Sequence, residues 1–305
     1  SLLTEMMRVS GRPLHVGLDG PGMEWLKAVR EEGLTVVAQQ GSVPTMSEFT
    51  LAEYNLFDYM PNWVQPLVGT PEERIAKLSE EGVRDRMKQD VVNVPHARTD
   101  WKRVTVVQVA QERNYKYEGL TIEQVAEMDG KHPLDAFLDL ALDENLETEF
   151  MHPAADQGRD ARVETITDPF SHISVSDGGA HTRFLTNSLW PVYFLTNWIR
   201  EQEIMSLEQA HNKMSALPAW FADFNNRGTL RVGNWADIMV YDLDELGFLY
   251  DKPRFDTDFP GGERRLVQKP TGLRYTIVNG GITFEGNECT GALPGKLLRS
   301  YDMVG

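Results

Sequence analysis

The apolar and polar positions near the N-terminus predict a strand, a helix and a second strand. Residues 14–18 form a short apolar run, residues 23–32 carry apolar side chains at helical spacing, and residues 34–38 are rich in β-branched side chains. Turn-forming residues at 19–22 and a glycine, Gly33, separate these elements. A strand–helix–strand unit of this length is typical of a parallel sheet, so we expect an α/β fold.

The middle of the chain is also predicted to contain both helices and strands. Apolar spacing predicts helices over 71–89 and 133–142 and a strand over 104–109, and a capping box at 121–124 is expected to open another helix. Residues 41–66 contain many aromatic side chains without a clear period. Two interpretations of this segment are open: a long loop with a short helix that covers a pocket, or a packed surface excursion.

The last third of the chain changes character. A buried-type strand is predicted over 173–176, and helices are predicted over 190–202 and 206–215. After residue 227, short strands separated by turns are predicted, at 228–233, 238–242 and 275–280. We therefore predict an α/β domain over 1–226 and a small β module over 227–305.

The composition narrows the choice of partners and compartment. The 305 residues include 46 acidic and 30 basic side chains, for a formal net charge of −16. This excess repels nucleic-acid phosphates and anionic membranes, so neither is an expected partner. A lone cysteine, Cys289, allows no intrachain disulfide, and no signal peptide or membrane-spanning apolar stretch is evident. These features fit a cytoplasmic protein.

Asp177 is the strongest single candidate for chemistry. It directly follows the predicted strand 173–176 and precedes two glycines, Gly178 and Gly179. Catalytic groups collect at the C-terminal ends of parallel strands, and glycines allow a substrate to approach the backbone closely. A carboxylate at this place can bind a metal ion or accept a proton from a metal-bound water. The alternative is a turn-forming aspartate that caps a helix.

Nearby basic side chains are further candidates. An imidazole such as His181 can polarise a carbonyl or shuttle a proton, and a guanidinium such as Arg183 can bind a carboxylate in bidentate fashion. Each can equally be an ordinary loop residue. His15 lies inside a predicted strand, where an isolated histidine is more often a hydrogen-bonded core residue than a ligand. His172 precedes the strand before Asp177 and is expected at its far end, away from the chemistry.

Several segments of the second half follow one another in a characteristic order and spacing. They are VSDGGAH at 175–181, the helix and turn at 207–219, RGTLRVGNWADIMVYD at 227–242, and the closing segments at 278–280 and 290–299. Together they resemble the amidohydrolase superfamily, and most of all its D-aminoacylase (N-acyl-D-amino-acid deacylase) branch. The resemblance is dense over about 163–299 and weaker over about 11–87.

The resemblance implies a (β/α)8 barrel of the TIM type joined to a β-sandwich module. Residues 1–226 would form the C-terminal part of the barrel, about strands six to eight, with active-site loops, and 227–305 the β-sandwich module and C-terminal tail. A complete barrel requires roughly 250 residues, and the family's His-x-His motif on the first strand is absent from this sequence. We therefore expect a second polypeptide, an upstream segment or an oligomer to supply the N-terminal half of the barrel.

The resemblance also implies a metal-dependent hydrolase of C–N amide bonds in which a metal-bound hydroxide attacks a small acyl amide. One or two divalent ions, usually zinc, would be held by Asp177 and His15, although His15 stands a few residues from the family's Ser-His position. Asp177 would also serve as general base and then acid, with His181 as a second catalytic residue. Arg183 would bind a substrate carboxylate. Alternatives are a cyclic amide or imide hydrolase, and a non-catalytic subunit that completes a partner's barrel.

Overall fold

The computed structural model describes residues 1–17, 22–43, 46–53, 57–93, 99–153, 158–176, 178–179, 182–183, 186–250 and 253–298. The strands are β1 Leu14–Gly17, β2 Val36–Gln40, β3 Met46–Phe49, β4 Thr105–Gln108, β5 Glu149–Pro153, β6 Ser171–Ile173, β7 Ile238–Tyr241, β8 Gly247–Phe248, β9 Arg254–Asp256, β10 Arg265–Val267, β11 Pro270–Thr271, β12 Leu273–Val278, β13 Gly281–Glu285 and β14 Glu288–Cys289.

The helices alternate with the strands in the first two thirds of the chain. They are α1 Leu2–Ser10, α2 Gly22–Glu31, α3 Pro61–Val64, α4 Pro71–Leu78, α5 Val83–Asn93, α6 Ile122–Asp129, α7 Pro133–Asp143, α8 Arg159–Thr167, α9 Trp190–Tyr193, α10 Leu207–His211 and α11 Leu217–Phe221. A 3₁₀ helix spans Glu112–Tyr117, and π-helical segments span Phe194–Glu201 and Asn212–Ala216. None of the helices in the described ranges combines the length and the apolarity that a membrane crossing requires.

The chain divides into two compact units. The first comprises Ser1–Val43, Gln157–Thr182 and Thr186–Gly305, and the second comprises Pro44–Asp156 with Arg183–Leu185. The second unit is inserted between β2 and β6, which are neighbours in one sheet of the first unit. The boundary predicted between residues 226 and 227 lies within the first unit and stays a prediction.

A parallel sheet of order β1-β2-β6 forms the centre of the first unit, and it confirms the parallel pairing expected from the N-terminal pattern. One face of β1 and β2 packs against α1 and α2, and its apolar core comprises Met7, Leu26, Val29, Val36 and Ala38. Side chains alternate between the two faces of a strand, so His15 and Val37 lie on the opposite face. This face, which also carries His172, is called the histidine face below.

Strand β6 begins and ends earlier than predicted. It spans Ser171–Ile173 instead of 173–176, because these three residues pair with 38–40 at the end of β2. The N–H of Ser174 still donates to the carbonyl of Gln40 at 3.3 Å, but regular pairing stops there. His172 therefore lies within the strand, and the expectation that it precedes the strand at its far end was wrong.

The two predicted helices after residue 190 are present, and the second is longer than predicted. Helix α9 continues into a π-helical segment that ends at Glu201, and α10 continues through another to the end of α11 at Phe221. The strand predicted over 228–233 is absent, because the backbone there turns at two positive-φ glycines, Gly228 (φ 78°) and Gly233 (φ 95°).

The C-terminal module contains small antiparallel sheets. Strands β14-β13-β12-β7 form the largest, and β8 with β11 and β9 with β10 form separate pairs. This confirms the strands predicted near 238–242 and 275–280. Every residue in the four strands of the largest sheet remains at least partly exposed to solvent. The β-sandwich expected for this module stays a prediction.

The second unit has its own core, built on an antiparallel sheet of order β3-β5-β4. The large aromatic side chains of Phe57, Trp63, Phe137 and Phe150 are fully buried there. Phe49, Phe57 and Trp63 of the segment 41–66 thus pack inside this unit, which favours the interpretation of that segment as a packed surface excursion. The predicted helix over 71–89 is two helices, α4 and α5, because the chain turns between them and Gly82 takes a positive φ of 75°.

Candidate active site

Strand β6 ends at Ile173, four positions before Asp177 in the sequence. Beyond Ser174, the hydroxyl of Ser176 accepts a hydrogen bond from the N–H of Gly178 at 3.3 Å. Asp177 itself and His181 lie outside the described residues. Strand β6 pairs in parallel with β2 but ends at Ile173, so the placement predicted for Asp177 directly after the strand, and its role, stay predictions.

The two glycines after Asp177 differ in their surroundings. A side-chain carbon on Gly178 would collide with the Oγ atom of Ser188, whereas one on Gly179 would meet nothing within 4 Å. The Ser188 hydroxyl also lies 3.1 Å from that of Thr186. Of the two glycines, Gly178 alone has a side-chain atom this close, and the Ser188 hydroxyl would have to move to admit a side chain there.

The segment after these glycines is tied to the C-terminal module. The backbone N–H of Leu266, in β10, donates to the carbonyl of Thr182 at 2.6 Å. Arg183 follows Thr182 and is an exposed residue. Its predicted role in binding a substrate carboxylate stays a prediction.

Two histidines meet on the histidine face. His15 on β1 and His172 on β6 flank β2, and their Nε2 atoms lie 2.5 Å apart. The rings stack with centroids 4.8 Å apart and 15° between their planes, and Phe221 contacts His15 with a centroid distance of 5.1 Å. Val37, between the two on β2, is fully buried. His15 is exposed, whereas His172 is 4% exposed.

Burial keeps this imidazole pair neutral. Desolvation, together with the nearby His15 and Lys213, lowers the pKa of His172 to about 4. Burial lowers the pKa of His15 as well. The Nδ1 atom of His172 is buried without a partner among the described residues. An unpaired N–H there would be costly, so we assign the His172 proton to Nε2, from which it donates to Nε2 of His15.

Lys213 holds the beginning of β6. Its buried ammonium donates to the carbonyls of Asp168 at 2.5 Å and Ser171 at 2.9 Å. Burial lowers the pKa of Lys213 to about 8. Asp168 also pairs with Arg30 of α2, the two charged groups being 2.8 Å apart. The strand that leads to Asp177 is therefore fixed at its start by a lysine and an ion pair.

The described residues fit a metal ion only in part. His15 offers a neutral imidazole on an open face, which is the form that binds zinc. Its Nε2 atom, however, already accepts from His172. No three histidine, cysteine or acidic side chains of the described ranges come together as a metal site. Any complete ligand set therefore requires Asp177 or groups from outside these ranges.

Sequence reasoning missed the partnership between His15 and His172. A signal was available, because side chains on the first and third strands of a parallel sheet can meet across the strand between them. It could be used only with the register of β6 against β2, and the sequence pattern placed β6 two residues too late.

A comparison with known families settles the family of the chain. The model of the amidohydrolase family matches residues 59–284, well over half of the sequence. The chain belongs to the amidohydrolase family. This confirms the resemblance to the D-aminoacylase-like branch, because relatives and solved structures from that branch also match.

Among characterised relatives, N-acyl-D-glutamate deacylase of Alcaligenes xylosoxydans xylosoxydans is 32% identical over 126 residues, which cover 41% of this chain and 23% of that protein. N-acyl-D-aspartate deacylase of the same organism is 29% identical over 110 residues, covering 36% of this chain and 20% of that protein. An uncharacterized protein of Mycobacterium tuberculosis is 29% identical over 182 residues, which cover 57% of this chain and 29% of that protein.

Solved structures share the fold. N-acyl-D-glutamate deacylase from Bordetella bronchiseptica, solved with zinc and a phosphonate inhibitor, matches with a TM-score of 0.50 and 21% identity, over 93% of this chain and 50% of that chain. A structure from a study of the binuclear metal centre of D-aminoacylase matches with a TM-score of 0.51 and 18% identity, over 95% of this chain and 50% of that chain. The chain thus spans about half the length of the solved chains that it matches.

Proposed function

We propose that this chain is the C-terminal part of a metal-dependent hydrolase that cleaves the C–N amide bond of an N-acyl amino acid. The observation that carries the proposal is the family match over 59–284, a range that includes Asp177. Deacylases of N-acyl-D-amino acids among the relatives support the substrate class. The acyl group, the amino acid and its chirality are left open by this proposal.

The proposed architecture is a (β/α)8 barrel in which β1, β2 and β6 are adjacent strands. The helices α1 and α2 then lie outside, and the histidine face becomes the barrel interior. In such barrels the side chains of one interior layer come from alternate strands. The meeting of His15 on β1 with His172 on β6 supports this arrangement. The four-stranded sheet of the C-terminal module would form one layer of a sandwich.

In the proposed reaction, each site residue transfers a proton, binds a metal ion or stabilises a charge. Zinc, as one or two ions held by Asp177 and His15, would supply Lewis acidity and make water acidic enough to attack at neutral pH. The Asp177 carboxylate takes the proton of the attacking water and returns it to the amide nitrogen as the C–N bond breaks, giving a carboxylic acid and an amine. His181 polarises the carbonyl or shuttles a proton, and Arg183 binds the substrate carboxylate.

The proposal requires further protein to complete the barrel. A second polypeptide, an upstream segment of the same gene product or an oligomer would supply the remaining strands and ligands, in a cytoplasmic enzyme. The rival function within enzymes is hydrolysis of a cyclic amide or imide. The rival from another class is a non-catalytic subunit that stabilises a partner.

The test combines metal content with turnover. Purified protein is assayed for bound zinc and screened against N-acyl amino acids and cyclic amides, with and without a chelator, while sedimentation gives the mass of the active species. Chelator-sensitive release of an amino acid, by material heavier than the 34.6 kDa chain, is expected. Turnover of cyclic amides alone favours the rival enzyme. Absence of both zinc and turnover favours the non-catalytic subunit.

A further inference from the structure

The hairpin of β9 and β10 stands apart from the other sheets of the C-terminal module. Its strands pair only with each other among the described strands. An isolated two-stranded hairpin is marginally stable in water, so its rigidity must come from side chains. Most of its residues are exposed, but Leu266 in β10 is 3% exposed.

Arginine side chains supply that rigidity. Arg265 makes a bidentate pair with Asp258 across the hairpin loop, with Nε–Oδ1 and Nη2–Oδ2 distances of 2.7 and 2.6 Å. Its guanidinium also lies over the ring of Phe259, 5.1 Å from the centroid. The guanidinium of Arg264 lies over Phe255 at 4.4 Å. These contacts reach across the hairpin and its loop, so the hairpin can serve as a firm support.

The free edge of β10 supports the loop that follows Asp177. Successive N–H groups of a strand point to opposite sides, so the Leu266 N–H that donates to Thr182 points away from β9. Thr182 stands five positions after Asp177 in the sequence, with the turn at Gly178 and Gly179 between them. The hydrogen bond therefore fixes the far end of this short segment.

We propose that the β9–β10 hairpin, through the backbone N–H of Leu266, positions the loop that carries Asp177 for the reaction. The inference rests on the proposed function, because a position matters for chemistry only if Asp177 takes part in it. Leu266 is thus a positioning residue and touches no substrate. Small displacements of a reacting group can lower turnover by about 10²-fold, which gives such an anchor its importance.

The test removes one N–H group. Leu266→Pro deletes the donor without removing a ladder bond of the hairpin, since that N–H faces away from β9. Leu266→Val is the matched control that keeps the donor. In the active preparation we expect Leu266→Pro to speed amide exchange in peptides covering 178–183 and to lower kcat about 10- to 100-fold, with KM within about twofold. Leu266→Val is expected to resemble the wild type in amide exchange, kcat and KM.

A second variant covers the case in which Leu266→Pro fails to fold. Arg265→Gln removes the pair with Asp258 but keeps every backbone N–H, and a smaller rise in exchange over 178–183 is expected. Unchanged exchange in both variants, or faster exchange with an unchanged kcat, overturns the proposal. Amide exchange does not require turnover. A wild-type protein that hydrolyses no amide therefore defeats the proposed function, while exchange still decides whether the hairpin anchors the loop.

Discussion

The hydroxyl of Ser188 occupies the space that a side chain on Gly178 would require. Gly178→Ala forces this hydroxyl to rotate away from its contact with Thr186, at the turn that immediately follows Asp177. We expect kcat/KM to fall by about 3- to 10-fold, a cost of about 1 kcal/mol in transition-state stabilisation, in steady-state hydrolysis assays.

Two control variants isolate the cause of that loss. Gly179→Ala places its methyl group in open space and is expected to have a smaller effect. Ser188→Ala removes the hydroxyl with which the new carbon collides, so the double variant Gly178→Ala/Ser188→Ala should recover most of the lost activity. A double variant as impaired as Gly178→Ala alone would show that the collision is irrelevant.

Asp177→Asn tests the proposed general base. The amide keeps the shape of the side chain but removes both its charge and its capacity to accept a proton. We expect kcat to fall by about 10² to 10⁴ while circular dichroism and thermal unfolding stay unchanged. Near-normal turnover would instead mean that Asp177 is a turn or cap residue, and its assignment as the general base would be wrong.

Arg183→Lys tests the proposed carboxylate clamp. Lysine keeps the positive charge but loses the planar fork that binds both carboxylate oxygens. We expect KM for N-acyl amino acids to rise about tenfold, equivalent to about 1.4 kcal/mol, with a smaller rise for neutral amides of the same acyl group. Equal effects on the two substrate types would remove this role from Arg183.

Much of the fold could be predicted from patterns among residues that are close in sequence. The strand–helix–strand unit at the N-terminus and the capping box at Thr121 depend on residues close in sequence, and they are found in the structure. The break between α4 and α5 was missed. Gly82, which takes a positive φ, lies at this break, but glycine also occurs inside helices, so its presence alone does not predict a break.

Contacts between distant segments could not be predicted from local patterns. His15 reaches His172 only because β6 pairs with β2 after an insertion of more than 100 residues, 44–156. The bond from Leu266 to Thr182 likewise joins a hairpin to a loop with several elements between them. A sequence pattern specifies which residues prefer a strand, but long-range register decides which side chains meet.

The core of the second unit should respond strongly to loss of an aromatic ring. Phe137 is fully buried and packs against Phe150, with ring centroids 4.6 Å apart, and against Trp101 at 5.3 Å. Phe137→Ala is expected to destabilise the unit by about 3–5 kcal/mol in urea unfolding. Tyr115→Ala, at a side chain 55% exposed in the same unit, should change the unfolding free energy by about 0.5 kcal/mol or less.

A half-buried histidine should make the first unit sensitive to acid. His211 of α10 hydrogen-bonds to the Tyr241 hydroxyl of β7 at 2.6 Å. Burial lowers the pKa of His211 below its ordinary value of 6.5, and the charge of Glu208 opposes this only in part. Below about pH 6.5 the unfolded chain therefore takes up a proton that the folded chain does not. Stability is thus expected to fall as the pH drops from 7 towards the lowered pKa.

Two variants separate this histidine from the other titrating groups. His211→Gln removes the titration, so its urea midpoint should fall less steeply between pH 7 and 5 than that of the wild type. The difference is at most about 1.4 kcal/mol per pH unit for one proton. Tyr241→Phe deletes the hydrogen bond but leaves the imidazole half-buried. Because desolvation is the main cause of the shift, this variant should keep the wild-type slope. If its slope instead matches that of His211→Gln, the hydrogen bond and not burial controls the titration.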